Sequence, residues 1–153
     1  MRYRLVPVGV PARGFARDAL AHYEGRLAKL APVEVIPVKA GRGGDVNGVR
    51  AREADALRAQ ADGYVVALDE RGERFTSEAL ARRIADLEVR GTSRVTLWIG
   101  GADGLDPALV AEADATWRLS DLTLPHELAA VVALEQLYRV ETIRAGHPYH
   151  RGG

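Results

Sequence analysis

Tyr64-Val-Val-Ala-Leu68 and Val95-Thr-Leu-Trp-Ile99 run apolar, without the alternation of a strand that shows one face to water. Strands of this kind are buried on both faces, which is the situation in a parallel sheet flanked by helices. Working outward, short β-branched runs keep alternating with longer helical stretches. Residues 2–8 read as a first strand. Residues 12–30 follow as a helix, with Phe15, Leu20, Tyr23 and Leu27 at near-helical spacing, and residues 33–38 form a second strand. The Gly-rich stretch 40–48 reads as a loop, and 49–61 as a polar helix rich in Arg, Glu and Ala. Thr76 is placed to cap a helix over 77–89, with Glu78 in the first turn where the helix dipole favours an anion. Asp106-Pro107 starts another helix, 116–119 is a short strand, and Pro125 opens a long helix to about Arg144. Strands separated by helices need crossover connections, so the expected fold is α/β with a mainly parallel sheet. With 153 residues, no internal repeat and no linker, it is a single domain spanning 1–153.

Composition narrows the function. Hydrophobic content of 47% with 27% charged residues is ordinary for a globular domain. The absence of Cys excludes disulfides, thiolate zinc sites and a catalytic thiol. No signal-like apolar segment follows Met1, and no apolar run approaches the roughly 18 residues of a membrane span, so a cytoplasmic protein with no membrane contact is expected. Lys+Arg and Asp+Glu are both 21, a balance unlike that of proteins that coat nucleic acid through many phosphates. A local basic patch remains compatible with it. All the basic residues except Lys29 and Lys39 are Arg, as a GC-rich genome would produce.

Three loops, 69–75, 100–105 and 120–125, each follow a strand and therefore share the carboxyl edge of the sheet, where open α/β folds bind ligands. The phosphate signatures are missing: there is no G-x-x-x-x-G-K-[ST], and neither Gly41-x-Gly43-Gly44 nor Gly100-Gly101-Ala-Asp-Gly104 matches G-x-G-x-x-G. Asp69 at a strand end suggests a phosphate-accepting receiver domain. Such a domain needs an acidic pair after the first strand, where this chain has Val8-Gly9-Val10. A ligand without phosphates suits the loops better. Gly100 and Gly101 let backbone come close to a neighbour, Leu119, Leu122 and Leu124 offer apolar walls, and Ser120 and Thr123 offer hydroxyls. An adenosine-type ligand is compatible with that set.

Leu68-Asp-x-x-Gly72, Ile99-Gly-Gly-x-x-Gly104, Leu119-Ser-x-Leu-Thr-Leu-Pro-His126, Glu135-Gln-Leu-Tyr-Arg139 and His147-Pro-Tyr-His-Arg151 come in a fixed order along the chain. In that order and spacing the sequence resembles the bacterial large-subunit rRNA pseudouridine N3-methyltransferases of the SPOUT superfamily, over essentially its whole length. The resemblance implies a single-domain SPOUT methyltransferase with a C-terminal trefoil knot. It implies S-adenosylmethionine as cofactor and N3 of a pseudouridine in the helix 69 loop of 23S rRNA as target. It further implies action on the assembled 70S ribosome as a homodimer. Cofactor contacts carried over fall at Leu68, Gly100, Leu119, Ser120, Asp121, Leu122, Thr123 and Leu124. Glu73 departs from the pattern, since the family often has a basic residue there. A SPOUT enzyme acting on tRNA and a catalytically silent ribosome-binding module are the alternatives.

The acceptor nitrogen in such a reaction carries a proton, so a base or water must take it. His126, His150 and, less directly, Asp121 are the available groups. His126 sits just inside a helix start, where the dipole favours a neutral imidazole; its other reading is a ring that satisfies local backbone. Glu135 and Arg139, four apart on a helix, read either as a surface pair or as an Arg139 turned to RNA. The basic tail with Tyr149, His150 and Arg151 reads on its own as a frayed, solvated terminus; the resemblance implies instead that these three residues bind RNA and, in a homodimer, complete the partner's pocket. His147 and His150 have the spacing of a metal pair but no Cys or carboxylate constellation, so no metal is expected. Leu128-Ala-Ala-Val-Val-Ala-Leu134 is apolar nearly all round and suggests core packing with a dimer interface beyond it.

Overall fold

The computed structural model describes residues 1–152. Its elements are β1 (Arg2–Pro7), α1 (Phe15–Leu27), β2 (Val33–Val35), α2 (Val46–Ala59), β3 (Tyr64–Arg74) and α3 (Ser77–Val89). They continue with β4 (Arg94–Ile99), α4 (Pro107–Glu112), β5 (Ala115–Arg118), α5 (His126–Arg144) and a 3-10 turn over Pro148–Gly152. The five strands form one parallel sheet in the order β2-β1-β4-β3-β5. Side-chain alternation along each strand then decides which helix layer it feeds. Tyr3, Leu5, Val66, Leu97 and Ile99 point to the layer of α1, α3 and α5. Val6, Val8, Val65, Ala67 and Trp98 point to the layer of α2 and α4. Each fully buried Leu or Val of this kind stabilises the fold by roughly 1.5–3 kcal/mol.

The buried strands β3 and β4, the helix α3 with its Thr76 cap, and the long α5 match the sequence reading. Several boundaries differ for local reasons. Helix α1 is shorter than 12–30: Gly14 sits at φ 117° before it, and a tight turn onto the Leu27 carbonyl closes it. Strand β2 stops at Val35: the Ile36 N–H still donates to the Leu5 carbonyl at 2.8 Å, but Pro7 of β1 has no N–H to return to Ile36, and pairing resumes at a single Val8–Val38 bridge. Helix α2 begins at Val46, within the expected loop 40–48, because the Asp45 carboxylate accepts from the Gly48 N–H at 2.8 Å.

The largest correction concerns the expected loop 69–75. Strand β3 continues to Arg74 across an irregularity, and Glu73 and Arg74 pair again with Trp117 and Arg118 of β5. Gly72 makes this possible: a Cβ there would lie 2.6 Å from the Trp117 carbonyl carbon, so only glycine allows the two backbones so near. Among the described residues no helix is long and apolar enough to cross a membrane.

Candidate functional site

The carboxyl ends of β3, β4 and β5 open into one cleft of about 880 Å³. Leu68 and Asp69 line it from β3, the turn 99–105 from β4, and the run 118–126 from the segment between β5 and α5. All eight residues expected to contact a cofactor, Leu68, Gly100, Leu119, Ser120, Asp121, Leu122, Thr123 and Leu124, therefore border the same space, as does His126. Leu122 is 76% exposed, an apolar wall with no partner in the protein's own core.

The close approach expected of Gly100 and Gly101 is to the chain itself. A Cβ on Gly100 would lie 2.6 Å from the Gly104 carbonyl carbon, and one on Gly101 would lie 3.0 Å from Val8 Cγ1. The Gly104 N–H donates to the Gly101 carbonyl at 3.0 Å and ties the turn. The glycines thus shape the cleft wall by closing a tight turn against β1. Ser120 is also used internally: its Oγ accepts from the Leu122 N–H at 2.9 Å, and its carbonyl accepts from Arg118 Nε at 3.0 Å. These bonds fix the curl of the Leu-rich run and leave the Ser120 hydroxyl proton free to donate.

Asp121 accepts both Arg74 hydrogen bonds, at 2.9 and 3.0 Å, and Arg118 stands 3.6 Å away. The Arg74 guanidinium holds the Asp121 carboxyl below the usual carboxylate range, which makes it a poor proton acceptor. Asp69 is occupied likewise, accepting from the Arg71 side chain and backbone N–H, and it too sits below its ordinary value. Glu73, the departure from the family pattern, is paired with Arg83 at 2.9 Å. His126 Nε2 lies 3.3 Å from the Gly9 carbonyl. A carbonyl only accepts, so this nitrogen carries the hydrogen and a neutral ring has its lone pair on Nδ1.

The other predicted residues lie elsewhere. Arg139 is on α5 roughly 20 Å of helix beyond His126, at about 1.5 Å per residue. Arg139, Tyr149, His150 and Arg151 are all absent from the lining of the cleft. They lie at or beyond the far end of α5, where Arg26 of α1 stands over the Tyr149 ring, 5.2 Å from its centre. Arg139 donates to Glu135 Oε1 at 2.8 and 3.0 Å, both side chains being 15% exposed, so this is a half-buried clamp rather than a solvated surface pair. The Tyr149 hydroxyl donates to the same carboxylate oxygen at 3.0 Å, and the Arg139 guanidinium lies over the Tyr149 ring, 5.0 Å from its centre. Burial, then the hydrogen bond to Glu135, push the Tyr149 phenol up to about 12. His147 Nδ1 accepts from the Tyr149 N–H at 3.1 Å, and His150 Nδ1 is buried without a partner among the described residues. Among the described residues no three His, Asp or Glu side chains come together as a metal-binding group.

Sequence reasoning missed Arg50, which lines the cleft from α2 and donates to the Asp103 carbonyl at 2.8 Å. It missed Glu53 as well, a buried carboxylate that accepts from the Gly41 N–H at 2.9 Å. Both lie on the polar helix, where alternating Arg and Glu give no signal that one face is covered.

Comparison with known proteins identifies the family. Residues 1–150 match the family model described as "Predicted SPOUT methyltransferase". The chain is 41% identical to the ribosomal RNA large subunit methyltransferase H of Bifidobacterium adolescentis, covering 99% of this chain and 100% of that protein. It is 43% identical to the protein of the same name from Thermus thermophilus, covering 99% of each. Among solved structures, a putative methyltransferase of Legionella pneumophila with bound SAM superposes with a TM-score of 0.54 at 13% identity. That match covers 91% of this chain and 66% of the Legionella chain, and a putative methylase of Neisseria gonorrhoeae reaches 0.53 at 16% identity; both show the fold alone. The chain belongs to the SPOUT methyltransferase family.

Proposed function

We propose that this chain is an S-adenosylmethionine-dependent methyltransferase of large-subunit rRNA, directed to N3 of a pseudouridine in the helix 69 loop of the assembled 70S ribosome. In this reading it works in the cytoplasm as a homodimer, with the segment after β5 threaded as a trefoil knot. The observation that carries the proposal is the single cleft formed by Leu68, Gly100 and the run Leu119 to Leu124. Its volume, apolar walls and backbone-lined turns suit an adenosine-type ligand, within the roughly 300–1,000 Å³ usual for small-molecule sites. The full-length similarity to proteins named as rRNA methyltransferases supports the substrate.

Bound there, S-adenosylmethionine would supply a methyl group on a positively charged sulfur. Leu119, Leu122 and Leu124 would lie against the bound cofactor and displace water there, which suits a transfer in which that charge is lost, and the turns at Gly100 and Ser120 hold the direction of approach. The new N–C bond releases the N3 proton. Asp121 is held by Arg74, so the proton passes to His126 through Nδ1, to His150, or to water. Arg139 and Tyr149 to Arg151 engage the RNA. Since they lie far along α5 from their own chain's cleft, they complete the cleft of a second copy. Leu128 and Phe15, exposed apolar residues at the start of α5 and α1, favour such a contact.

The test is to treat 70S ribosomes lacking the modification with the protein and labelled S-adenosylmethionine, then read helix 69 by mass spectrometry. One added methyl on the pseudouridine is the expected result. Label appearing in tRNA would redirect the substrate. Cofactor binding with no transfer to any RNA would favour a silent ribosome-binding module.

A further inference from the structure

The two flanks of the cleft treat their arginines differently. On the β3/β5 flank, Arg71, Arg74 and Arg83 are each paired with a carboxylate, at 2.9 or 3.0 Å. An arginine so paired carries little outward charge. On the β1/β2 flank, the stretches 9–18 and 38–53 hold Arg13, Arg17, Lys39, Arg42, Arg50 and Arg52 against the acids Asp18, Asp45 and Glu53, the last of them buried. None of these six has a carboxylate in salt-bridge range among the described residues. Arg17 donates to the Val10 and Pro11 carbonyls, Arg50 to that of Asp103, and Arg52 to those of Arg42 and Gly43. A carbonyl fixes a guanidinium in place but leaves its whole charge uncancelled. Arg13, Lys39 and Arg42 are exposed, with side chains bonded to nothing among the described residues. In a chain of zero net charge this is a marked asymmetry.

The same flank borders the chemistry. A Cβ on Gly9 would lie 3.3 Å from Ala40 Cβ and 3.5 Å from His126 Nε2, so the β1–α1 loop, the β2–α2 loop and the start of α5 meet at the cleft mouth. Helix α2 braces both loops that matter. Glu53 accepts from the Gly41 N–H and lies against Gly101, and Arg50 reaches the 100–104 turn. The charges are spread along two loops and a helix face rather than converging on one point. That distribution suits an extended polyanion and not a small phosphate.

We propose that Arg13, Lys39 and Arg42, braced by α2, form a rim on which the phosphate backbone of the substrate RNA lies while its target base enters the cleft. This rests on the rRNA methyltransferase reading and adds to it the face from which RNA approaches. The contacts are to phosphate, so they set affinity and salt dependence rather than base choice.

The experiment compares two triple variants of the full-length protein. One is Arg13→Gln, Lys39→Gln, Arg42→Gln. The other is Arg2→Gln, Lys29→Gln, Arg90→Gln, which removes three exposed cations from the opposite edge of the sheet. Binding to 70S ribosomes is measured against salt, alongside methyl transfer and S-adenosylmethionine affinity. The rim variant is expected to bind roughly tenfold or more weaker at about 0.1 M salt, with a log–log salt slope shallower by about 2 to 3. Its KM for ribosomes rises, its kcat and cofactor affinity stay, and Arg13→Lys with Arg42→Lys restores binding. The opposite-edge variant behaves as wild type. Equal losses in both variants, or none in the rim variant, overturn the proposal. A wild-type chain that binds ribosomes but transfers no methyl strikes the functional reading instead, and the rim is then decided by the binding difference alone.

Discussion

The two ends of α5 carry different kinds of site. At its start, His126 and the preceding Leu-rich run form part of a cleft complete enough to hold a small molecule within one chain. At its far end, Arg139, Glu135 and Tyr149 are clamped to one another, with His150 and Arg151 just beyond them, and none of these residues lines the cleft at the other end. The first end is organised around an open cleft. The second is organised around itself, a preformed surface that needs something brought to it. A helix of 19 residues separates them, so one chain cannot bring both ends to one reacting atom.

The most direct challenge to this contrast is to divide the ends between two chains. Arg139→Ala is expected to lower methyl transfer roughly 100-fold while leaving S-adenosylmethionine affinity within about twofold, as for loss of one charged contact to the reacting partner. Mixed in equal amounts with Gly100→Ala chains, it should recover about a quarter of wild-type transfer, since half the dimers are mixed and each has one whole site. No recovery on mixing, with dimers confirmed by sedimentation, would mean that each chain works alone. Gly100→Ala by itself should cost about 1–3 kcal/mol in chemical denaturation and weaken cofactor binding, because its Cβ is forced against the Gly104 backbone. Wild-type stability would show that the turn relaxes freely.

A smaller effect is expected at the tip of the tail. Arg151→Ala should lower transfer several-fold at limiting ribosome and spare cofactor titration, as for one exposed phosphate contact. Unchanged transfer would remove that residue from the RNA site. The smallest effect is a titration. Tyr149 is raised from about 10 when unfolded to about 12 when docked, so its share of tail stability is present below pH 10 and is lost as pH rises toward 12. The difference in tyrosinate absorbance between wild type and Tyr149→Phe reads it directly, and an ordinary step near pH 10 would place the phenol away from Glu135.

The contrast between the two ends also explains what was legible in the sequence. The cleft follows from strand order: apolar runs such as Tyr64 to Leu68 make a parallel sheet, and a parallel sheet puts its following loops on one edge. Leu68, Gly100 and Leu119 to Leu124 need no more than that logic to meet. The continuation of β3 past Asp69 was hidden because it depends on Gly72 lying against Trp117, a contact between positions far apart in the chain. The clamp at Arg139 was equally hidden. An i,i+4 Glu–Arg pair looks the same on a solvated helix as on one covered by a returning tail, and only the tail's fold distinguishes them.

The strand order has a consequence for how the chain is made. Strand β1 has β2 on one side and β4, some ninety residues later, on the other. Two parallel strands alone are marginal, so the first third of the chain stays unsealed until Arg94 to Ile99 has been synthesised. At about 5–20 residues per second, that leaves it open for roughly 3–13 seconds counted from the end of β2. Until then Val6 and Val8 have only α2 to pack on and lack Trp98, which leaves the nascent N-terminal segment waiting on its latest contacts.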